Sequence, residues 1–286
     1  MNNLGKTFKK IRKSKKLTQK AVCEGIIPLS TLSEFESGKG DIKLSKFYEI
    51  MSNINITFQE FDHLSKNYQL DGFPLMWQKA VDYSHKKNIA SLKAIYKRSL
   101  NTEKKNIYEE INHLRIKNLL ASHDKDYMLS QNERKLIFDY LSSISTWSSY
   151  ELRIYTCLIG NFQPKTVEKL TEGLYHKTAI YKSVESVKLL MVQTLINSIS
   201  VMLEANNISS ALKFHGYVEH LMGEADLFER NVFLFATGAI QVFSDKVELG
   251  KNKMEKAIQI FDDLGSHNLA QIYKENYDTI IKIIGK

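Results

Sequence analysis

Residues 17–39 read LTQKAVCEGIIPLSTLSEFESGK, and the boundary residues in this stretch predict two short helices joined by a turn. Thr18 is suited to cap the first helix, placed over residues 19–23, because its hydroxyl can accept a bond from a free backbone N–H. Pro28 fits the first turn of the next helix, where its missing N–H costs nothing. Gly38 stands where that helix is expected to end. The stretch therefore indicates a helix-turn-helix pair.

Apolar residues on either side of this pair extend the helical pattern over about the first 65 residues. Leu4, Phe8 and Ile11 fall at i, i+4 and i+7, the spacing of one apolar stripe on a first helix. Two later clusters predict a fourth and a fifth helix: Leu44, Phe47, Ile50 and Met51, then Phe58, Phe61 and Leu64. The N-terminal part is thus expected to be a domain of five short helices.

The positive charge of the chain is concentrated at its N-terminus. The 286 residues hold 40 Lys and Arg against 32 Asp and Glu, a formal net charge of +8. Residues 1–20 contain 8 of those bases and no acid, so the other 32 bases balance the 32 acids. Such a segment is either a solvated basic arm or a surface for phosphate groups. The helix-turn-helix pattern that follows it favours phosphate.

Composition narrows the class of protein. With only 3 Pro and 13 Gly, the chain has few helix-breaking residues, which favours an all-α fold. Its 2 Cys cannot form a disulfide framework, which indicates a cytoplasmic location with reduced thiols. The basic start lacks the apolar core of a signal peptide. No run approaches the roughly 18 uninterrupted apolar residues of a membrane span, so no membrane partner is expected.

Motifs for catalysis and for metal binding are missing from the sequence. There is no P-loop, no G-x-G-x-x-G and no H-E-x-x-H. His215 and His220 do not share a helix face, and neither cysteine has a C-x-x-C partner. Ser84-His85-Lys86-Lys87 matches S-x-x-K by letters but lacks the companion motifs. We therefore expect no enzymatic activity, no cofactor and no metal.

Beyond the first domain, apolar residues recur at spacings of three and four almost to the end of the chain. We assign residues 1–66 to the first domain, 67–74 to a linker with an Asp-Gly turn signal, and 75–286 to a helical domain. Helices are predicted near 75–87, 89–100, 103–122, 131–144, 147–160, 164–180, 184–205, 209–223, 226–243, 247–263 and 267–284. Their short connections suggest antiparallel neighbours stacked in pairs.

A degenerate repeat is visible in the helical domain. NIASLKAIY at 88–96 resembles NISSALKFHGY at 207–217, and GKNKMEKAIQIF at 250–261 has a similar polar start. In the last segment Ala257 and Phe261 are spaced as in the second helix of a tetratricopeptide repeat. A non-repeating helical domain is the alternative. We favour a degenerate tetratricopeptide-like solenoid, whose concave face would suit an extended peptide.

The first quarter of the chain, about residues 4–65, resembles the Xre-type helix-turn-helix of bacterial repressors. The matching marks are Leu17-Thr18-Gln19, Ser30-Thr31-Leu32-Ser33, Phe35-Glu36 and Gly38. In such modules the third helix enters the major groove of double-stranded DNA with its N-terminal half against base edges. The resemblance implies that Gln19 binds a phosphate and that Lys20 and Lys39 lie near the DNA backbone. It also implies that the third helix contributes the remaining contacts. Those that face bases are Leu29, Ser30, Ser33 and Glu34, and Thr31 belongs to the same DNA-binding set.

Two acidic residues of the third helix have different expected roles. By the same resemblance, Glu36 forms an internal salt bridge with Arg12 of the first helix, so Arg12 is expected to be structural. Glu34 stands where many relatives have a basic residue. An acid there can accept a bond from cytosine N4, but it also repels phosphate, so it could instead reject wrong sites.

A second resemblance spans essentially the whole chain. WSSYELRIY at 147–155 followed by Asn161, the opening LGKTFKKIRKSKKLT and the later DIKLSKFYEI are similar to segments of Rgg/MutR/GadR-type regulators of Gram-positive bacteria. This resemblance implies a homodimeric, sequence-specific transcription regulator controlled by a short signalling peptide, of the quorum-sensing type. Some members have a cysteine where this chain has Leu44, so an intersubunit disulfide at that position is impossible here.

Candidate peptide contacts follow from helix faces. On the 184–205 helix, Gln193, Asn197 and Val201 lie roughly opposite the core stripe of Val184, Val187, Met191, Leu195, Ile199 and Met202. On the 226–243 helix, a similar mixed stripe holds Asn231, Leu234, Gly238 and Gln241. Arg153 could pair with a peptide carboxylate. We expect a cleft lined by the 147–160, 184–205 and 226–243 helices. The candidate peptide contacts in this cleft are Arg153, Gln193, Asn197, Asn231 and Gly238. Each of these residues, taken singly, is also compatible with an ordinary solvated position.

Two classes of function are compatible with these observations. One is the peptide-responsive DNA-binding regulator. The other is a helical-repeat adaptor whose N-terminal module binds protein, as an antitoxin-like partner does. The concentration of charge in residues 1–20 favours the regulator.

Overall fold

The computed structural model describes residues 4–66, 72–100 and 106–284, and the regular elements within these ranges are all helical. The chain divides into two compact units, Met1–Asn88 and Ile89–Lys286. The described ranges hold sixteen α-helices and three single-turn 3-10 segments. The prediction of an all-α fold is confirmed.

Six α-helices lie within the described part of the first unit. The first five are those expected from the sequence, and the sixth begins at Gly72. Residues 72–74 of the predicted linker are therefore its first turn, while residues 67–71 lie outside the described ranges. The predicted 75–87 helix corresponds to this sixth helix, which groups with the first unit. The helices are α1 (Leu4–Ser14), α2 (Gln19–Cys23), α3 (Leu29–Ser37), α4 (Leu44–Asn53), α5 (Phe58–Ser65) and α6 (Gly72–His85).

The boundaries of α2 and α3 follow from the residues that cap them. The Thr18 hydroxyl accepts a hydrogen bond from the N–H of Ala21 at 3.1 Å. Gly38 ends α3 with φ at 78°, in the left-handed region that glycine enters without steric cost. Pro28 lies one position earlier than expected, at the N-cap rather than in the first turn, because α3 begins at Leu29.

Phenylalanine rings form the centre of the first unit. Phe8, Phe35 and Phe47 are buried and contact one another, with ring centroids 6.2, 5.8 and 5.6 Å apart. Gly5 allows α1 to approach α3, since an added Cβ would lie 1.7 Å from the carbonyl oxygen of Phe35. This close contact fixes the orientation of α3 and leaves its opposite face outward.

Ten α-helices lie within the described part of the second unit, at the positions that the apolar spacing predicted to within a few residues. The largest difference is at the start of α8, and it includes residues 103–105, which lie outside the described ranges. The helices are α7 (Ile89–Leu100), α8 (Ile107–Ala121), α9 (Gln131–Ser143), α10 (Ser149–Leu158), α11 (Pro164–Lys177), α12 (Glu185–Glu204), α13 (Ile208–Leu221), α14 (Leu227–Phe243), α15 (Val247–Asp263) and α16 (His267–Ile284).

One backbone geometry recurs after seven of the described helices: α1, α3, α4 and α6 in the first unit, and α12, α14 and α15 in the second. Positive φ occurs just after α6, α12, α14 and α15, at Lys87, Asn206, Asp245 and Gly265. The next residue then donates its N–H to a carbonyl five residues earlier: Asn88 to Tyr83, Asn207 to Met202, Lys246 to Gln241 and Ser266 to Phe261. This is the Schellman turn, which satisfies the helix end and reverses the chain. Because the turn occurs in both units, the tetratricopeptide-like character of the second unit comes from its paired helices with short connections.

The central helix of the second unit is α12. The predicted core stripe is buried at Val187, Met191, Leu195, Ile199 and Met202. Val184 is the exception, because it precedes the first turn of the helix and is 44% exposed. By length and composition α12 could cross a membrane, with a mean hydropathy of 1.5 over its most apolar window. Since 56% of that window is buried within the fold, its apolar character is that of a core helix.

Glycines bring α14 and α15 into backbone contact. A Cβ on Gly238 would lie 2.7 Å from the carbonyl oxygen of Gly250. A Cβ on Gly250 would lie 2.4 Å from the carbonyl oxygen of Gly238. Any larger residue at either position would have to push the two helices apart.

Candidate DNA interface and ligand cleft

The outer face of α3 presents polar side chains to solvent. Ser30, Ser33 and Glu34 are exposed, and Leu29 is 49% exposed at the start of the helix. Thr31 is half-buried. Leu32 and Phe35 are buried on the opposite face. The helix therefore offers a short surface of hydroxyls, one carboxylate and one apolar side chain, all groups that can contact base edges.

Arg12 and Glu36 form a buried ion pair beneath this surface. Arg12 Nε donates to Glu36 Oε1 at 2.6 Å, and Arg12 Nη2 donates to Oε2 at 2.8 Å. A third donor, Nη1, bonds the carbonyl of Leu17 at 2.6 Å. The hydrogen bonds with Glu36 raise the pKa of Arg12 above its ordinary value, although burial opposes them. Arg12 thus joins α1 to α3 and to the turn before α2, the structural role that the resemblance implied.

Gln19 takes part in the same network. Its Nε2 donates to Glu36 Oε2 at 2.9 Å, and the side chain is half-buried. Sequence reasoning assigned Gln19 to a phosphate alone, because nothing in the residue spacing shows that it lies against Glu36. Its amide N–H is used within the protein, so Gln19 also links the start of α2 to α3.

The remaining candidates for the DNA interface differ in how freely they project. Lys20 and Lys39 are exposed. The side chain of Glu34 lies against Gly40, where an added Cβ would meet its Cβ at 3.2 Å and its Oε2 at 3.4 Å. The Glu34 carboxylate is thus directed over the loop after α3, which places it near one end of the polar surface.

A cleft of about 170 Å³ lies between α12, α14 and α16 in the second unit. Its walls are mainly apolar, and polar groups are contributed by a few side chains on α12 and α16. The apolar lining is Ile196, Ile199, Leu203, Val232, Phe235, Ala236, Ala239, Phe243, Tyr273, Ile280 and Ile283, and the polar lining is Asn197, Ser200, Glu204, Asn276 and Thr279. An apolar pocket with a few convergent polar groups is the usual form of a site for a small ligand or peptide.

One of the five predicted peptide contacts, Asn197, lines this cleft. Gln193 is exposed on the same helix but outside the lining, and Arg153 is exposed on α10, which contributes no wall. The expected cleft between the 147–160, 184–205 and 226–243 helices is therefore corrected: α16 takes the place of the first of these. Sequence reasoning did not select Tyr273, Asn276 or Thr279, although it predicted the 267–284 helix that carries them.

Asn231 and Gly238 lie on the other face of α14. Asn231 is buried, and its Nδ2 donates to the carbonyl of Ala257 at 2.9 Å. Gly238 faces Gly250, as described above. The placement of both residues in the cleft is corrected, because the mixed stripe that they share packs against α15.

Arg153 lies in a different electrostatic setting, on the surface of α10. Nearby Arg115 is buried, and burial is the main cause that lowers its pKa; the positive charge of Arg153 lowers it further. The surface is separate from the lining of the cleft.

Comparison with known proteins assigns both parts of the chain. A family model described as "HTH-type transcriptional regulator Rgg, C-terminal domain" matches residues 92–275, and a helix-turn-helix model matches residues 8–61. Similar structures include the SHP pheromone receptor Rgg2 of Streptococcus dysgalactiae, at 24% identity and a TM-score of 0.85, covering 96% of this chain and 99% of that one.

Two further solved structures share the fold. A putative transcriptional regulator from Listeria monocytogenes EGD-e is 25% identical, with a TM-score of 0.84 and 98% of each chain covered. The PrgX/cCF10 complex is 12% identical, with a TM-score of 0.76, covering 98% of this chain and 99% of that one.

Proposed function

This chain belongs to the Rgg family of helix-turn-helix transcriptional regulators, and from that membership we propose that it binds a specific DNA site under the control of a short signalling peptide. The observation that carries the proposal is the presence in one chain of an exposed polar face on α3 and an apolar cleft in the second unit. Regulators of transcription are not a class of enzymes, and the proposal assigns no catalytic step to either site.

The DNA-binding part rests on shape and charge. The buried pair of Arg12 and Glu36 holds α3 rigidly against α1, so its outer residues are presented without reorganisation. The 8 bases of residues 1–20 supply the attraction for phosphate groups, which dominates affinity for DNA. We assign base contacts to Leu29, Ser30, Ser33 and Glu34, with Thr31 beside them. Gln19, Lys20 and Lys39 contact the backbone.

The peptide-binding part rests on the cleft. A volume of about 170 Å³ can enclose one or two large side chains, so a bound peptide would insert an apolar anchor and leave its remaining residues along α12 and α16. Asn197 and Asn276 can bond both the N–H and the C=O of an extended backbone. The streptococcal relative is described as a pheromone receptor, and the PrgX structure is a complex with cCF10. These two descriptions support a peptide as the ligand.

Location and assembly follow from the same activity. A protein that regulates transcription in a bacterium works in the cytoplasm, where its 2 free cysteines stay reduced. Helix-turn-helix proteins typically bind as dimers, with recognition helices about 34–36 Å apart along the duplex. We therefore propose a cytoplasmic homodimer that binds an inverted repeat.

The experiment that tests this function is selection of bound sites from random duplex DNA, with and without supernatant from a culture of the host. We expect one enriched inverted repeat whose occupancy changes when supernatant is added. Ser33→Ala should alter the preferred base at one position in each half-site, while Ser37→Ala, on the same helix, should leave the motif unchanged.

The two parts of the proposal fail separately in this design. Absence of any enriched site would remove the DNA-binding assignment and favour the helical-repeat adaptor. An enriched site whose occupancy ignores the supernatant, in the intact chain and in Asn197→Ala alike, would leave a DNA-binding protein without peptide control.

A further inference from the structure

The polar groups of the cleft are arranged in stripes along two of its walls. On α12 they are Asn197, Ser200 and Glu204, whose spacing of i, i+3 and i+7 places them on one face of the helix. On α16, Asn276 and Thr279 are also three residues apart. Seven residues of helix rise by about 10 Å, which is the length of about three residues of extended peptide. The stripes therefore suit a short stretch of peptide backbone.

Formal charge is confined to one end of the α12 stripe. Glu204 is the last residue of α12, and no other Asp or Glu and no Lys, Arg or His occurs among the described residues that line the cleft. Tyr273 is the other titratable group of the lining, and burial raises its pKa to about 12, so its phenol is neutral at pH 7. The cleft thus presents a single negative group to a ligand.

Two properties of Glu204 favour a positive group beside it. Its side chain makes no hydrogen bond and no ion pair with any residue in the described part of the chain, so the carboxylate oxygens are available to a ligand. Its position at the C-terminal end of α12 adds the partial negative charge of the helix dipole to that of the carboxylate. A cation at this end of the cleft is attracted by both charges, whereas an anion is repelled by both.

We propose that the cleft selects its peptide by a primary ammonium group, which binds the carboxylate of Glu204 while apolar side chains of the peptide fill the cleft. The ammonium can be the N-terminus of the peptide or a lysine side chain, since both carry a positive charge and several N–H donors at pH 7. From the ammonium, the backbone runs along α12 towards Asn197. Glu204 is thus a specificity-determining residue.

This inference rests on the proposed function, because it concerns the chemistry of the peptide that the cleft is proposed to bind. It adds a requirement that the apolar lining alone does not impose. A peptide of the same apolar residues with a blocked amine, or with an acidic group in place of the ammonium, should bind poorly, because the carboxylate of Glu204 would lose its hydration without gaining a donor.

The test is a titration of DNA occupancy by the full-length chain against culture supernatant whose amines have been acetylated. Acetylation removes both the charge and the donor capacity of an ammonium. At about pH 7 the reagent modifies mainly N-terminal amines, and at about pH 10 it also modifies lysines, because the pKa of a lysine is higher by about 2.5 units. Supernatant mixed with reagent that was quenched beforehand is the control for the treatment.

We expect acetylated supernatant to be about five- to tenfold less potent on the wild-type chain. Glu204→Gln should lose a similar factor towards untreated supernatant, and acetylation should cost this variant nothing more, since the two changes remove the same interaction. A loss already present after treatment at pH 7 identifies the N-terminus, and a loss only after treatment at pH 10 identifies a lysine. Glu219→Gln is the matched control, because Glu219 is exposed in the last turn of α13 and lies outside the cleft lining; it should respond as the wild type does.

Several outcomes would overturn the inference. One is a wild-type response that acetylation at either pH leaves unchanged, a result that does not depend on the folding of any variant. Another is a Glu204→Gln variant that responds as the wild type does, or that loses a further factor on acetylation. A third is equal weakening by Glu219→Gln. In each case the wild type still responds to untreated supernatant, so the proposed function stands; a wild type that ignores untreated supernatant overturns peptide control itself, and this inference with it.

Discussion

Arg12 and Glu36 are joined by two hydrogen bonds of 2.6 and 2.8 Å across 24 residues of sequence, and both side chains are buried. The pair links α1, the most basic helix, to α3, whose outer face carries the proposed base contacts. Gln19 adds a bond to the same carboxylate. The orientation of the outer face of α3 therefore depends on this buried charge pair as well as on the close approach of Gly5 to Phe35.

Removing one partner of this pair should be costly. Arg12→Ala leaves the carboxylate of Glu36 buried without its guanidinium, and we expect a loss of about 3–5 kcal/mol in the stability of the first unit. Lys13→Ala, at an exposed neighbouring position, should change stability by less than about 0.5 kcal/mol. Thermal unfolding followed by circular dichroism measures both. Similar melting temperatures for the two variants would show that Arg12 has no structural role.

Affinity for DNA should fall steeply with salt. A dimer that binds about 6–10 phosphates loses roughly 10³–10⁵ in affinity between 50 and 200 mM salt, because bound counterions are released from the DNA. Lys20→Ala should reduce the slope of log affinity against log salt by about 1 for each phosphate that the lysine neutralises. Lys282→Ala, an exposed lysine of α16, should leave the slope unchanged. A flat salt response of the intact chain would contradict the assignment.

Asn197 should contribute to the peptide response. Asn197→Ala removes an amide from the cleft, and the response to supernatant should weaken by about 0.5–1.5 kcal/mol, the usual value of one hydrogen bond. Gln193→Ala, one turn earlier on α12 but outside the lining, should respond as the wild type does. Titration of DNA occupancy against supernatant provides the measurement. Equal effects of the two substitutions would place the ligand elsewhere.

Two glycines offer a matched test of packing. Gly238→Ala inserts a methyl group 2.7 Å from the carbonyl oxygen of Gly250, and we expect a loss of about 1–3 kcal/mol. Gly216→Ala lies within α13, where nothing stands within 4 Å of the added carbon, so the higher helix propensity of Ala should give a gain of about 0.5–1 kcal/mol. Chemical unfolding of both variants measures the two changes in unfolding free energy. An unchanged unfolding free energy for Gly238→Ala would mean that α14 and α15 separate easily.

Acid should weaken the second unit through His215. Its ring stacks on Phe233 and bonds Thr237 at 2.9 Å, and burial lowers its pKa below the usual value near 6.5. The folded state therefore holds this ring neutral, while the unfolded chain takes up a proton as the pH falls below about 6.5. Stability from this group is complete above that pH and decreases below it. His215→Phe should flatten the decrease in unfolding free energy between about pH 7 and 5; an unchanged profile would assign the effect to other groups.

Local signals in the sequence were sufficient for the helices and their ends. Thr18 and Gly38 act as cap and stop because each satisfies or bends the backbone by itself, independently of the rest of the fold. The apolar stripe of α12 was predictable for a similar reason, since periodicity alone determines which residues share a face. The prediction that Val184 belongs to the buried stripe was wrong, because periodicity does not show where the helix begins.

The identity of the neighbouring helix could not be predicted in the same way. Asn231 and Gly238 share a face of α14, and a mixed stripe suits a ligand as well as it suits another helix. The backbone of Gly250, 12 residues after Gly238, fits against Gly238, and this contact places α15 rather than a ligand on the mixed face of α14. The role of Gln19 was hidden for the same reason, because its partner Glu36 is 17 residues away.

The backbone contact between Gly238 and Gly250 also restricts motion. The two backbones touch directly, with the side chains of Met254 and Val242 packed against the same contact, so α14 and α15 have little freedom to slide past each other. Their common neighbour α16 borders the cleft from Tyr273 to Ile283, and near its start Leu269 borders a second concavity, which also contains Leu227 and Leu264. A tilt of α16 about its middle would act as a lever on this fixed base, widening one cavity while it narrows the other.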